Sequence, residues 1–242
     1  EVLKGLFFHK EGIHNNKHLA ENECTVILEY FCQQMEMEEF SQDTMYIKLL
    51  KSLPLFITHT EKVTSLEHCS KVVIIPSSIP VGGLDEWMLH QDVCFLKRIE
   101  KLSKLHKMVA IDCQTHEEFY CNFIIPKFNL LPEKHELTHL KYIRDFVLLK
   151  QRSETYTEKQ KKVISMIKRC DFISVGDERR KACDFFSPFV NVFESMCIDY
   201  EFPPLPFRDK DWKHFMKLAG MVSKVTADQF CKFAEDLSRM YQ

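Results

Sequence analysis

Leu53-Pro54-Leu55-Phe56-Ile57-Thr58-His59-Thr60-Glu61-Lys62-Val63-Thr64-Ser65-Leu66 is the stretch that decides how this chain folds. A proline disfavours helix in the residue before it, so Pro54 closes the helix predicted over Asp43 to Ser52. Beyond Pro54 the chain reads as a short apolar strand, a polar turn at Glu61-Lys62 and a second strand. Upstream, a helix is predicted from Asn22 to Met37, with Val26, Ile27, Tyr30 and Phe31 at helical spacing and Asn22 as candidate N-cap. Downstream, Val72-Val73-Ile74-Ile75 is β-branched and bounded by Pro76, and Pro80 and Gly82-Gly83 punctuate the next loop. Beyond Leu96 helices dominate: Lys97 to His106, Thr115 to Ile125, Glu133 to Leu149, Glu158 to Cys170, Pro188 to Met196, Asp211 to Leu218 and Thr226 to Tyr241. Thr115 and Thr226 are each followed by an acidic residue within the first turn, which suits the positive helix N-terminus. A strand at Phe172-Ile173-Ser174-Val175 runs into a turn at Gly176-Asp177. The expected class is α+β, predominantly helical, with a small and mainly antiparallel sheet in the N-terminal half. Residues 1–110 are expected to form a mixed subdomain carrying the hairpin, and residues 111–242 a mainly helical one of the same repeat unit.

The 242 residues, 45% of them hydrophobic, are enough to bury a substantial core. Twenty Phe and ten Met favour a helical interior with adaptable packing. A formal charge of −2 gives no electrostatic footprint for nucleic acid. The densest basic runs, Lys159-Gln160-Lys161-Lys162 and Glu178-Arg179-Arg180-Lys181, read as solvated faces. Ten cysteines occur without a CxxC pair, in apolar settings such as Cys94-Phe95-Leu96, the usage of a reducing compartment. No apolar run approaches a membrane span, and no signal peptide opens the chain. Starting at Glu1, the chain reads as a cytosolic piece of a larger protein.

The sharpest chemical motif is His135-Glu136-Leu137-Thr138-His139. On a helix, histidines at i and i+4 can reach one zinc ion while the glutamate activates water, and Glu158 lies at a spacing used for a third ligand. Helical geometry weighs against a zinc hydrolase. Leu137, Leu140, Ile143 and Val147 are predicted to form the buried stripe, leaving His135 and His139 on a flank with Tyr142 and Phe146. No suitable strand immediately precedes the helix, and an acidic residue is expected at a helix start such as Glu158. His9, His14 and His18 have no cysteines at ligand spacing. Cys113, His116 and Cys121 are expected to cap and line a helix. With six glycines and no phosphate-binding loop or nucleophile elbow, the chain has no recognisable nucleotide site or serine-hydrolase site. No catalytic, cofactor or metal residue is assigned. Trp87 and Trp212 each follow a proline- or glycine-bounded stretch and are expected to pack loops onto the domain.

Taken in order along the chain, several phrases resemble the repeated region of the sacsin family. These are Leu19 to Cys24 leading into Leu28-Glu29-Tyr30, the Leu53 to Leu66 stretch, Glu118-Phe119-Tyr120 leading to Ile125-Pro126-Lys127-Phe128, and His139 to Asp145. Further on come Asp184-Phe185-Phe186-Ser187-Pro188, Phe202-Pro203-Pro204-Leu205-Pro206-Phe207, Trp212 and Leu218 to Val222. Phe186-Ser187-Pro188 departs from the family's Tyr-Asp-Pro, and Ala219 replaces a basic or polar residue. The resemblance implies a non-catalytic segment lying outside a Bergerat-type ATPase module, acting as scaffold or client-contact surface in protein quality control and intermediate-filament organisation. The implied partners are protein clients, chaperones, intermediate-filament proteins or other segments of the same chain, in the cytoplasm. A purely structural spacer is the other non-catalytic reading. A short internal repeat fits a duplicated unit: Leu105-His106-Lys107-Met108-Val109 with Thr115 and Phe119 parallels Leu218-Ala219-Gly220-Met221-Val222 with Thr226 and Phe230.

Overall fold

The computed structural model describes residues 20–37, 44–67, 69–80, 84, 93–148, 155–196 and 199–240. Gly82, Gly83, Trp87, His9, His14 and His18 lie outside the described residues. The chain divides into two compact units, Glu1–Thr115 and His116–Gln242.

In the first unit, helices α1 (Glu21–Met37) and α2 (Thr44–Ser52) lead into strands β1 (Phe56–Ile57) and β2 (Val63–Thr64). The helix stops before Pro54 as predicted, and the two strands pair antiparallel, Phe56 with Thr64 and Ile57 with Val63. Thr58 closes the turn: its amide donates to the Lys62 carbonyl at 2.8 Å and its hydroxyl accepts from the Lys62 amide at 3.0 Å. Glu61 sits in the left-handed region, φ 60°. Strands β3 (Val72–Ile74), β4 (Cys94–Leu96) and β5 (Asp112–Cys113) form a sheet of order β4-β3-β5. The hairpin joins it through an antiparallel Thr58–Leu96 bridge, with the Lys97 amide donating to Ile57 and the His59 amide to Phe95.

The α+β class and its helical bias stand as expected. The pairing within the three-stranded sheet differs, because β3 pairs parallel with both β4 and β5. Its strands are linked by crossovers rather than tight turns, and the β4-to-β5 crossover carries α3 (Ser103–Met108). Lys97 belongs to this sheet edge, which is why the helix predicted from Lys97 begins only after it.

The buried face of α1 also differs from its apolar spacing. Cys24, Leu28, Phe31 and Cys32 enter the core beside Leu50, Phe56, Leu96 and Leu105, while Val26 and Tyr30 face outward. Glu23 rather than Asn22 completes the N-terminus, its carboxylate accepting from the Ala20 amide at 2.9 Å.

The second unit opens with α4 (His116–Phe119), which widens into a π turn over Tyr120–Ile124. Helix α5 (Glu133–Tyr142) likewise continues as a π turn over Ile143–Val147, closed by the Leu148 amide on the Ile143 carbonyl at 2.8 Å. Helix α6 (Glu158–Ile167) starts from a reciprocal capping box between Thr157 and Gln160. Strands β6 (Ile173–Val175) and β7 (Glu178–Arg180) form a hairpin whose turn begins at Gly176, φ 60°. After α7 (Asn191–Met196) come α8 (Lys213–Leu218) and α9 (Ala227–Met240), the last capped by a Thr226–Gln229 box.

One order of elements occurs twice along the chain, from α1 to α4 and from α5 to α9: two helices, a β-hairpin, a strand segment, a 3-10 turn, a short helix, a left-handed cap, a parallel pairing and a further helix, with β4 in the first copy and α7 in the second standing outside it. The correspondence extends to single hydrogen bonds. At the end of α3 the Val109, Ala110 and Ile111 amides donate to Leu105, Lys107 and His106; at the end of α8 the Ala219, Gly220 and Met221 amides donate to Phe215, Lys217 and Met216. Both ends are Schellman caps with the left-handed position at Ala110 (φ 55°) and Gly220 (φ 105°). Each then feeds a parallel pairing, Asp112 with Val73 and Val222 with Phe186. The repeat seen in the sequence is therefore real in outline but out of register at the cap: Val109 corresponds to Ala219, not Val222. The match of Met-Val in both copies hid that offset. The pairing of Thr115 with Thr226 and of Phe119 with Phe230 keeps its register from the helix starts.

The caps and the core beside them generate two predictions. Ala110→Gly is expected to raise unfolding free energy by about 0.5–1 kcal/mol and Gly220→Ala to lower it by about 1 kcal/mol, read from urea titrations. At Gly220 a Cβ would meet only ordinary contacts at 3.8 Å, so the cost is conformational. His106, buried on α3, is held neutral by desolvation, with Arg98 adding, and its pKa is lowered to about 4. The unfolded chain takes up that proton near the ordinary histidine value of 6.5, so the native state binds fewer protons between the two values. Its contribution is complete above the upper value and is lost as pH falls through the window, by up to about 3 kcal/mol. His106→Gln should flatten that part of the stability–pH curve.

Candidate functional site

The H-E-x-x-H motif lies on α5, but the helix does not present it as the spacing suggested. Burial follows Glu136, His139, Leu140, Ile143 and Val147, and Leu137 is only half-buried. His139, expected on a flank, is 0% exposed. A polar side chain can occupy a core position when a hydrogen bond is supplied there, and for His139 that bond is made by Nδ1. His139 Nδ1 and the Tyr120 hydroxyl share a hydrogen bond of 3.0 Å across from the α4 π turn. Burial pushes the Tyr120 hydroxyl up in pKa, so it remains protonated and able to donate.

Glu136 is paired with Arg179 of β7, whose guanidinium donates to Glu136 Oε1. The carboxyl of Glu136 is raised in pKa because burial outweighs the attraction of Arg179. Nearby, the Cys170 thiol is pushed up to about 12 by burial, with Asp171 adding. It lies 3.9 Å from the Ile125 carbonyl. Glu158, the third-ligand candidate, is exposed at the start of α6 and paired with Lys161 at 2.6 Å. The arrangement ties a helix to a hairpin. A general base needs its carboxylate directed at a water, and here it is engaged by a guanidinium. Among the described residues no group of three His, Cys, Asp or Glu side chains could hold a metal ion. Cys121 lines the buried side of the α4 π turn, and Cys113 is exposed at β5.

From this polar centre an aromatic column runs outward, which the sequence reading missed. Tyr120 stacks on Tyr142 with centroids 5.7 Å apart, and Tyr142 stacks on Phe146 at 4.7 Å. His116 flanks Tyr142 at 6.0 Å. The column ends at Phe146, which is 66% exposed. The signal was in the spacing of Tyr142 and Phe146 at i and i+4 on one helix, which places them as neighbours. Trp212, by contrast, packs a loop as expected: it is buried edge-to-face against Phe207 and Phe215, with Arg144 4.6 Å above its ring. The preceding proline-rich stretch is clamped by Arg208, which donates to the Pro203 and Asp199 carbonyls and to the Asp199 carboxylate. That leaves Leu205 exposed at its tip. No described helix is long and apolar enough to cross a membrane.

No family model matches this chain, and no solved structure matches it. Over 255 aligned residues, covering 98% of the chain, it is 24% identical to human sacsin. The same alignment spans only 5% of sacsin's length. The likeness is distant and partial, and it points to a sacsin-family relationship.

The ion pair makes a direct expectation. Arg179→Met leaves Glu136 buried without its partner and should cost about 2–3 kcal/mol, less than for a fully buried pair because Arg179 keeps some solvent contact. Glu136→Leu with Arg179→Met should recover part of that loss in urea titrations. Added zinc should not raise the melting temperature of the unmodified protein.

Proposed function

We propose that this chain is a non-catalytic segment of a sacsin-type, chaperone-like protein and serves as scaffold and contact surface for protein partners. The observation that carries the reading is the fate of the one chemical motif. Its glutamate and second histidine are built into the core as an ion pair and a hydrogen bond, while the apolar and aromatic side chains beside it reach the surface. The likeness to sacsin along nearly the whole chain supports the setting: protein quality control in the cytoplasm.

The partners that fit are unfolded or partly folded proteins, chaperones or other segments of a long sacsin-type chain, with intermediate-filament proteins as the cytoskeletal candidates. Phe146 and Leu205 offer apolar contact without requiring a deep cleft. A solvent-exposed phenylalanine backed by a stacked tyrosine is already ordered, so engaging it costs little side-chain entropy.

The test is light scattering of an aggregating model client with and without substoichiometric purified protein. Suppression is expected, and Phe146→Ser should weaken it several-fold while far-UV circular dichroism is unchanged. No suppression by the unmodified protein would favour a purely structural spacer. Suppression indifferent to Phe146→Ser and to Leu205→Ser would place the contact surface elsewhere.

A further inference from the structure

The duplicated order of elements leaves one contact made in the second unit without its counterpart in the first. In the second unit, α4 and its π turn lie against α6 and cover the face of α5. Phe119 and Tyr120 are wholly buried there, and Tyr142 is 6% exposed beneath them. Helix α9 follows the α8 cap as α4 follows the α3 cap, and Phe230 holds the place of Phe119. Yet Phe230 is 58% exposed, with Phe233 half-buried beside it on the same stripe. On α1, Leu28-Glu29-Tyr30-Phe31 corresponds to Leu140-Lys141-Tyr142-Ile143 on α5, with Leu28 and Phe31 buried like Leu140 and Ile143. Tyr30, at the place of Tyr142, is 38% exposed, and an open hollow lined by Asn22, Glu23, Val26 and Ile27 lies on the same helix.

The place of Tyr120, which makes the hydrogen bond and ring stacking to α5, is held on α9 by the exposed Cys231, so the chain displays the receiving face a second time and, at the donor's place in the repeat, a different apolar stripe of Phe230 and Phe233. We propose that the α9 stripe of one copy docks on the Ile27–Tyr30 face of α1 in a second copy, as α4 docks on α5. The occupant is set by that internal precedent: the face that receives α4 has a sequence counterpart on α1, and every copy carries it. Donor and acceptor surfaces differ, so the contact is heterologous and head-to-tail. Such a contact leaves a donor face at one end and an acceptor face at the other, and it extends unless a rotation closes it into a ring. With little more than one helix face buried on each side, the association belongs to the weak, concentration-dependent class.

The experiment is sedimentation velocity across a wide concentration range on the full chain and on Phe230→Asp and Tyr30→Asp. The unmodified protein is expected to show a weight-average mass that climbs with concentration past the dimer. Each variant alone should remain monomeric, with circular dichroism and melting unchanged. Mixed in equal amounts, they should form a 1:1 dimer that grows no further, because the α1 face left intact by Phe230→Asp meets the α9 stripe left intact by Tyr30→Asp. Val26→Asp, which alters the adjoining hollow at a more exposed position, replaces Tyr30→Asp if that variant fails to fold. A monomer at every concentration overturns the proposal. So does self-association unchanged by either substitution, or a mixture of the two variants that stays monomeric.

Discussion

Glu136 is the residue on which the second unit's arrangement turns. A carboxylate beneath the surface has to be compensated, and Arg179 supplies the compensation from a strand far along the chain. The pair fixes α5 against the β6–β7 hairpin. With α5 so placed, His139 can face inward to meet Tyr120, and Tyr142 can carry the aromatic column outward. Replacing such a pair with apolar side chains can equal its stability, so what the charges add is position: one rotation of the helix satisfies both. Trp212 reinforces the same placement from the far end of α5, under the guanidinium of Arg144.

At the positions of Glu136 and His139 the first unit carries apolar groups. Cys24 stands where Glu136 stands in the second, and Ile27 where His139 stands. α1 reaches the Glu100–Leu102 turn much as α5 reaches the Lys210–Trp212 turn, in one case with Lys101 paired to Glu29 and in the other with Arg144 over an indole. The two units thus show one backbone plan carried by different side-chain chemistry. What they keep in common is the backbone hydrogen bonding of the caps, where geometry and not side-chain identity is decisive.

The features legible in the sequence were those set by neighbouring residues. The Leu53–Leu66 hairpin, the helix stop before Pro54, the Gly176-Asp177 turn and the Thr226 cap each depend on local backbone preferences and appear as read. The parallel pairing of β3 with β4 and β5 was not legible, since nothing near Val72 records which distant strands approach it. Helix faces failed for a related reason. On α1, apolar side chains run nearly all round the helix, and only tertiary packing selects Cys24 and Leu28 over Val26 and Tyr30. On α5, polarity argued that His139 belonged outside, and the partner that admits it to the core, Tyr120, sits on another helix. The H-E-x-x-H spacing was visible but uninformative about chemistry, because the deciding group, Arg179, lies outside the motif.

The parallel sheet carries a consequence for how the two units acquire their structure. The β6–β7 hairpin closes a short turn, an event of microseconds with little loop-closure entropy to overcome. The sheet in the first unit cannot form that way: Val73 must find Asp112 and Phe95 across long intervening stretches before any of those hydrogen bonds repays the ordering of the chain. A strand of three residues awaiting two distant neighbours leaves Val73, Ile74 and Phe95 uncovered during that search. The antiparallel bridge from Thr58 to Leu96 gives β4 a second edge besides β3, on the locally closed β1–β2 hairpin, and a hairpin formed early is expected to shorten that search. The stretch that marks the change from helix to strand in the sequence is thereby also a template on which the slower pairing assembles.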